Sequence, residues 1–275
     1  MEVHRIAAFT RDGKGGNPAG VVVCEVLPDV ERMQMIAAGL GYSETVFAAP
    51  SLEGYRVRYF APQVEVPFCG HATIALGATL ARREGSGSFV LQSNAGIVRV
   101  EGRFESGNMS ATLHSPPTHS EPASAELLEA SLKLFSLSNS NLDAQLPTAI
   151  IEAGVRHLLI PLWDYGQLVG MNYDLQVGAD VMRQWDLTTI CLVFRASASR
   201  FRSRNAFAAG GIYEDPATGA AAAALVAYLQ KLGHRESDHI EILQGEEMGV
   251  PCLLYAQAPV LAGGSALVYG RARDI

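Results

Sequence analysis

The chain has 275 residues, 48% of them apolar and 18% charged, with a formal net charge of −7. That composition supplies one large core or two ordinary ones and excludes an intrinsically disordered chain. The acidic balance, with no run of Lys or Arg to offset it, excludes a nucleic-acid partner more firmly than it excludes a small anion bound locally.

Residues 3–9 form an apolar run of strand type, followed by the Gly- and Asn-rich residues 12–16. Asn17-Pro18-Ala19-Gly20 opens the run Val21-Val22-Val23-Cys24, which fits a buried strand. After Pro28-Asp29, Met33, Ile36, Ala37 and Leu40 recur at helical spacing, and Gly39 and Gly41 are expected to stop that helix. Residues 42–47 read as a loop turning into a strand, and residues 55–60 as a strand ended by Ala61-Pro62. The helix after Cys69 is apolar nearly all round (Ala72, Ile74, Ala75, Leu76, Ala78, Leu80), and a helix without a polar face is buried on every side.

Strands over 88–91, 96–100 and 109–113 would wrap sheet around that helix. Residues 114–121, with two prolines and several Ser and Thr, read as a linker between halves. The second half repeats the order, with a helix over 123–135, strands over 149–152 and 157–161, a helix over 179–185 and a strand over 190–194. An apolar helix over 220–229 follows, and residues 266–271 form a strand that crosses back to close the first half. The fold class is α+β, two pseudo-symmetric halves, each a barrel-like sheet around a central buried helix. The halves span 1–115, completed by 265–275, and 118–262.

The apolar segment 218–229 is well short of the roughly 20 residues a membrane span needs. The N-terminal residues lack the basic region and long apolar run of a secretion signal. Cys24, Cys69, Cys191 and Cys252 are far apart, which points to neither a zinc knuckle nor a disulfide scaffold. A cytoplasmic protein without a membrane partner, metal or cofactor is expected.

The most informative stretch is Glu65-Val66-Pro67-Phe68-Cys69-Gly70-His71-Ala72. It has a degenerate twin in Glu214-Asp215-Pro216-Ala217-Thr218-Gly219-Ala220-Ala221. Glu65 falls on Glu214, Pro67 on Pro216 and Gly70 on Gly219, and the register continues through Leu80/Leu229. Both glycines open buried helices, whose first N–H groups lack intrahelical partners and carry the positive end of the helix dipole. Gly70, Gly219 and Ala220 are therefore candidates to hold a small anion, most simply a carboxylate.

His71 and Asp215 are the chemically distinctive residues, because their twins are Ala220 and Val66. Asp215 can equally serve as a cap of its helix. Glu65 and Glu214 occur in both copies, which favours a shared structural role such as satisfying the turn's N–H groups. Glu44, placed on Cys191 when Val46-Phe47 is set on Val193-Phe194, is a carboxylate that the second half lacks and a candidate acid/base. Cys69 sits where a two-thiol racemase would carry one thiol, but its twin is Thr218, too weak a base. Cys69 is then a small buried side chain.

Asn17-Pro18-Ala19-Gly20, Ser43-Glu44-Thr45-Val46-Phe47 and the two twin stretches, with Gln244-Gly245 and Met248-Gly249, together resemble the phenazine-biosynthesis PhzF-like family. The resemblance covers nearly the whole chain and implies a diaminopimelate epimerase-like fold with the site between two halves, in a homodimer. It implies a cofactor-free isomerisation of a small carboxylate-bearing substrate, of the kind that shifts a proton on a cyclic amino acid. Glu44 would move the proton, His71 and Asp215 would bind and polarise substrate, and Gly70 and Gly219 would offer N–H groups to its carboxylate. Three residues depart from the family pattern: Ala220 replaces a usual Ser, and Val250 and Cys252 replace a common Arg and Ser, which bears on the substrate more than on the chemistry. The alternative is a non-catalytic member that binds a small acid or a protein.

Overall fold

In a computed structural model that describes residues 2–234, 236 and 238–275, the chain divides into two units. These are Met1–Ser115 with Leu267–Ile275, and Pro116–Ala266. The first unit runs β1 (His4–Thr10), β2 (Asn17–Val23), α1 (Val30–Leu40), β3 (Glu44–Ser51), β4 (Gly54–Phe60), β5 (Glu65–Val66), α2 (Gly70–Glu84), β6 (Gly87–Ser93), β7 (Gly96–Glu105) and β8 (Asn108–Pro122), whose last residues belong to the second unit. The second continues with α3 (Ala125–Leu134), β9 (Ala149–Ala153), β10 (Arg156–Leu162), α4 (Tyr165–Val169), α5 (Leu175–Gln184), β11 (Thr189–Arg195), β12 (Arg200–Ala206), β13 (Glu214–Asp215), α6 (Gly219–Lys231), β14 (His239–Gln244) and β15 (Cys252–Gln257). The last strand, β16 (Ser265–Asp274), returns to the first unit.

The fold class is α+β, and the two units share one pairing scheme. In the first, β1 and β2 are antiparallel, β3 is parallel to β2, β4 antiparallel to β3, and the short β5 antiparallel to β4. After α2, β6 lies parallel to β4 and β7 antiparallel to β6. The second unit repeats each step with β9, β10, β11, β12, β13, α6, β14 and β15. β16 adds an antiparallel strand to β1.

The strands of each unit are built around a helix that has no polar face. Every residue of α2 from His71 to Ala81 is buried, and α2 packs on β1, β2, β3 and β7. α6 is buried from Gly219 through Val226 and packs on β9, β14 and β15. Ala and Gly dominate both helices because the sheet comes so close. A Cβ on Gly102 of β7 would stand 2.1 Å from the carbonyl oxygen of Gly77 in α2, so only glycine permits that crossing.

Three sequence-based expectations need correction. Residues 114–121 do contain the boundary between the units, after Ser115, but as part of strand β8 and not as a loop; Ser115, Thr118 and Ser120 are buried there, with the alternation interrupted at Pro116-Pro117. The prolines there mask the period-two pattern. Gly39 does not stop α1, which runs to Leu40 and ends at Gly41, whose φ of 68° supplies the left-handed cap.

The third concerns register. Phe60 pairs Glu65 and Thr45, while Ala206 pairs Glu214 and Ile190, so Thr45 corresponds to Ile190 and Glu44 to Thr189, not Cys191. Unequal loops between strand and turn shift the frame. The first unit still carries a carboxylate that the second lacks.

The same register aligns Arg58 with Arg204, and these residues hold the turns that lead into α2 and α6. Arg58 grips both carboxylate oxygens of Glu65, Nε donating to Oε1 at 2.7 Å, and Asn94 donates to the same Oε1 at 2.7 Å. The guanidinium holds the Glu65 carboxyl below its ordinary value of 4.5. Arg204 repeats the grip on Glu214, Nε to Oε1 at 3.0 Å, and donates to the carbonyls of Val169 and Met171. Glu65 and Glu214 thus have the shared structural role expected of them, through an arginine and not through the turn's N–H groups.

The second unit carries a buried histidine where the first has Ala19. His157 Nδ1 lies 2.7 Å from Thr189 Oγ1, and its Nε2 has no hydrogen-bond partner among the described residues. Burial pushes its pKa down to about 3 from 6.5.

Two outcomes follow from these interiors. Glu214→Ala leaves the Arg204 guanidinium buried and unpaired and should cost about 3–5 kcal/mol in urea unfolding, whereas replacing both partners with apolar residues should recover most of that loss. Because His157 stays neutral when folded but takes a proton when unfolded, its stabilisation is full above its ordinary pKa and shrinks as pH falls toward the depressed one. Between pH 7 and pH 5 the wild-type protein should lose about 2 kcal/mol more than His157→Gln, measured by urea midpoints at both pH values.

Candidate functional site

The first unit assembles three of the singled-out residues at the start of α2. Pro67 and Phe68 carry the chain from β5 to Cys69, the N-cap residue, in extended conformation with φ −146° and ψ 121°. Its carbonyl oxygen accepts both the Thr73 N–H at 3.1 Å and the Thr73 hydroxyl at 2.6 Å, and Tyr59 closes the cluster with its hydroxyl 2.7 Å from Thr73 Oγ1. Burial raises the Tyr59 phenol above its ordinary pKa, so it serves as a fixed hydrogen-bonding group.

His71, at the second position of the helix, is buried and bridges two neighbours. Its Nδ1 lies 3.3 Å from Cys69 Sγ, and its Nε2 lies 3.5 Å from Glu44 Oε2 and 3.3 Å from Ser43 Oγ. Glu44 is the first residue of β3, which the parallel pairing with β2 places beside Ala19. Glu44 is 8% exposed, which is uncommon for an acid and requires a partner.

Glu44, Cys69 and His71 offer donor atoms within 4.8 Å of one another, a set that could ligate a soft divalent ion. The three groups, however, lie in a line through the ring, with the thiol at Nδ1 and the carboxylate near Nε2. A metal takes one imidazole nitrogen, with ligand atoms about 3.5 Å apart around a tetrahedral zinc. Here the acid and the thiol address opposite nitrogens of the ring.

The second unit assembles Asp215, Gly219 and Ala220 at the start of α6. Asp215 is buried and accepts a 2.6 Å hydrogen bond from Thr218 Oγ1. Gln244 braces the turn from β14: its Nε2 donates to the Asp215 carbonyl at 2.6 Å and to Thr218 Oγ1 at 3.1 Å, while its Oε1 accepts the Thr218 N–H at 3.2 Å. Gly245, at φ 75°, lets this strand end pass the turn, since a Cβ would stand 2.9 Å from the Pro216 carbonyl oxygen.

Neither helix is capped by a side chain at Cys69 or Thr218. The first intrahelical bonds are Thr73 N–H to Cys69 and Ala222 N–H to Thr218. The N–H groups of Gly70 and His71, and of Gly219 and Ala220, therefore precede the hydrogen-bonded ladder and sit at the positive end of each helix dipole.

Sequence reasoning missed Ser43, Gln244, Arg58 and Arg204 as parts of these clusters, and for Cys69, which is buried as expected, it missed the contact with His71. For the arginines a signal existed, an Arg two residues before the end of the strand that precedes each turn. Loops of different length hide it. For Cys69 there was none, because its pairing with His71 depends on which way the thiol points.

These geometries accompany clear relatedness. A family model described as "Phenazine biosynthesis-like protein" matches residues 6–272. An uncharacterised isomerase of Deinococcus radiodurans is 34% identical over 90% of this chain and 83% of its own. A trans-2,3-dihydro-3-hydroxyanthranilate isomerase of Pseudomonas aeruginosa is 31% identical, covering 97% of both chains. The crystal structure of a Bacillus anthracis phenazine biosynthesis protein of the PhzF family superposes with a TM-score of 0.84 at 24% identity, over 100% of this chain and 98% of that one, and establishes the shared fold. The chain belongs to the phenazine biosynthesis-like protein family and is an isomerase.

Proposed function

We propose that this isomerase moves a proton on a small, carboxylate-bearing, cyclic amino-acid-like substrate by acid/base catalysis without a cofactor, with Glu44 as the acid/base. The observation that carries the reading is the buried Glu44 carboxylate held 3.5 Å from His71 Nε2 at the start of a buried helix. Removing a proton from carbon needs a base that is oriented and largely shielded from water. Glu44 meets both conditions.

His71 and Asp215 bind and polarise the substrate's polar groups. The N–H groups of Gly70 in the first unit, and of Gly219 and Ala220 in the second, are each suited to a substrate carboxylate, because uncapped helix ends supply donors and positive potential where negative charge resides or develops. The Pseudomonas relative's substrate supports a ring-bearing amino acid as the class, and Ala220, which offers no hydroxyl, supports a different member of it.

The test is turnover of trans-2,3-dihydro-3-hydroxyanthranilate and a panel of cyclic amino and hydroxy acids by protein dialysed against a chelator. The wild type should convert at least one of them, and Glu44→Gln should lower kcat for that compound by about 10²–10⁴-fold with the fold intact. Turnover by Glu44→Gln within a few-fold of wild type would remove Glu44 from the role.

A further inference from the structure

We propose that Cys69 is a positioning residue for the proton transfer: its thiol fixes the tautomer of His71 so that Nε2–H faces the Glu44 carboxylate. The inference rests on the reading of Glu44 as the acid/base. Cys69 Sγ lies 3.3 Å from His71 Nδ1, close for a sulfur–nitrogen hydrogen bond, and both side chains are buried. A neutral imidazole has one N–H and one lone pair. If the thiol donates to Nδ1, the ring proton must be on Nε2, the nitrogen that faces Glu44 Oε2 and Ser43 Oγ.

The opposite tautomer would point the Nε2 lone pair at the carboxylate, and like electron pairs repel. The carboxylate and the thiol therefore favour the same tautomer from opposite edges of the ring, and the thiol acts as the outer partner of a metal-bound histidine does.

The second unit supplies an independent observation. Cys69 and Thr218 hold the same position before their helices, where a side chain would ordinarily cap the first turn, and neither does so. Each turns toward the distinctive polar residue of its own unit: Cys69 toward His71, and Thr218 toward Asp215, which its hydroxyl reaches at 2.6 Å. The N-cap position in both units orients a functional group at the expense of the cap. Thr218 rules out a second thiol base, so the role of Cys69 here is that of a donor, with no covalent or redox step.

The tautomer is read directly from ring 15N shifts of histidine-labelled protein without substrate, with His71 assigned through the spectrum of His71→Asn. The wild type should show an unprotonated Nδ1 and a protonated Nε2. Cys69→Ala should raise the share of the Nδ1–H tautomer measurably above that of the wild type, and Cys69→Ser, which keeps a donor, should restore the wild-type pattern. On the compound the wild type turns over, Cys69→Ala should lower kcat roughly tenfold or more with KM within a few-fold, and Cys69→Ser should recover most of that loss. A protonated Nδ1 in the wild type, or ring shifts and kcat both unchanged in Cys69→Ala, would overturn the proposal. Because the spectrum needs neither substrate nor Glu44 chemistry, it decides the Cys69–His71 bond even if Glu44 proves not to be the base.

Discussion

The arrangement depends on one interaction made twice, an arginine of a long strand gripping a glutamate of the two-residue strand beside it. Arg58 with Glu65 and Arg204 with Glu214 fix where the chain leaves the sheet and enters α2 or α6. A two-residue strand has little pairing of its own, and the fork of the guanidinium supplies the direction that the ladder cannot. Each helix start, and the polar residue that precedes or follows it, is placed by that grip. Arg204 and Glu214 are deeply buried, so their pairing contributes specificity of geometry more than net stability.

On this repeated scaffold the chemistry comes from unequal side chains at matched positions. Where the first unit places Ala19 and Glu44, the second places His157 and Thr189, hydrogen-bonded to each other. Where α2 carries His71, α6 carries Ala220, and the second unit's acid lies in the turn as Asp215. The first unit therefore presents a carboxylate with an imidazole at its helix start, and the second a carboxylate braced by Thr218 and Gln244.

Most of this was legible in residue order, for physical reasons that differ from residue to residue. The twin stretches stand out because a tight strand-to-helix entry demands Pro and Gly at fixed places, and the helices because a stretch apolar on all faces has only the interior to go to. Residues 114–121 were opaque since Pro116 and Pro117 interrupt the alternation that marks β8. β12 was hidden by its arginines at 200, 202 and 204, which look like surface until Glu214 and Glu246 are seen across from them. The correspondence of Glu44 with Thr189 needed hydrogen-bond register, because apolar residues such as Val46-Phe47 align equally well two positions away. The pairing of Cys69 with His71 lay beyond sequence altogether, being a matter of rotamer.

The central claim is that Glu44 exchanges a proton with a carbon of the substrate. The most direct measurement is solvent deuterium appearing at that carbon by proton NMR, with wild type and Glu44→Gln compared in D2O on the same turned-over compound. The account predicts incorporation by the wild type and none by Glu44→Gln. Equal incorporation by both would contradict it.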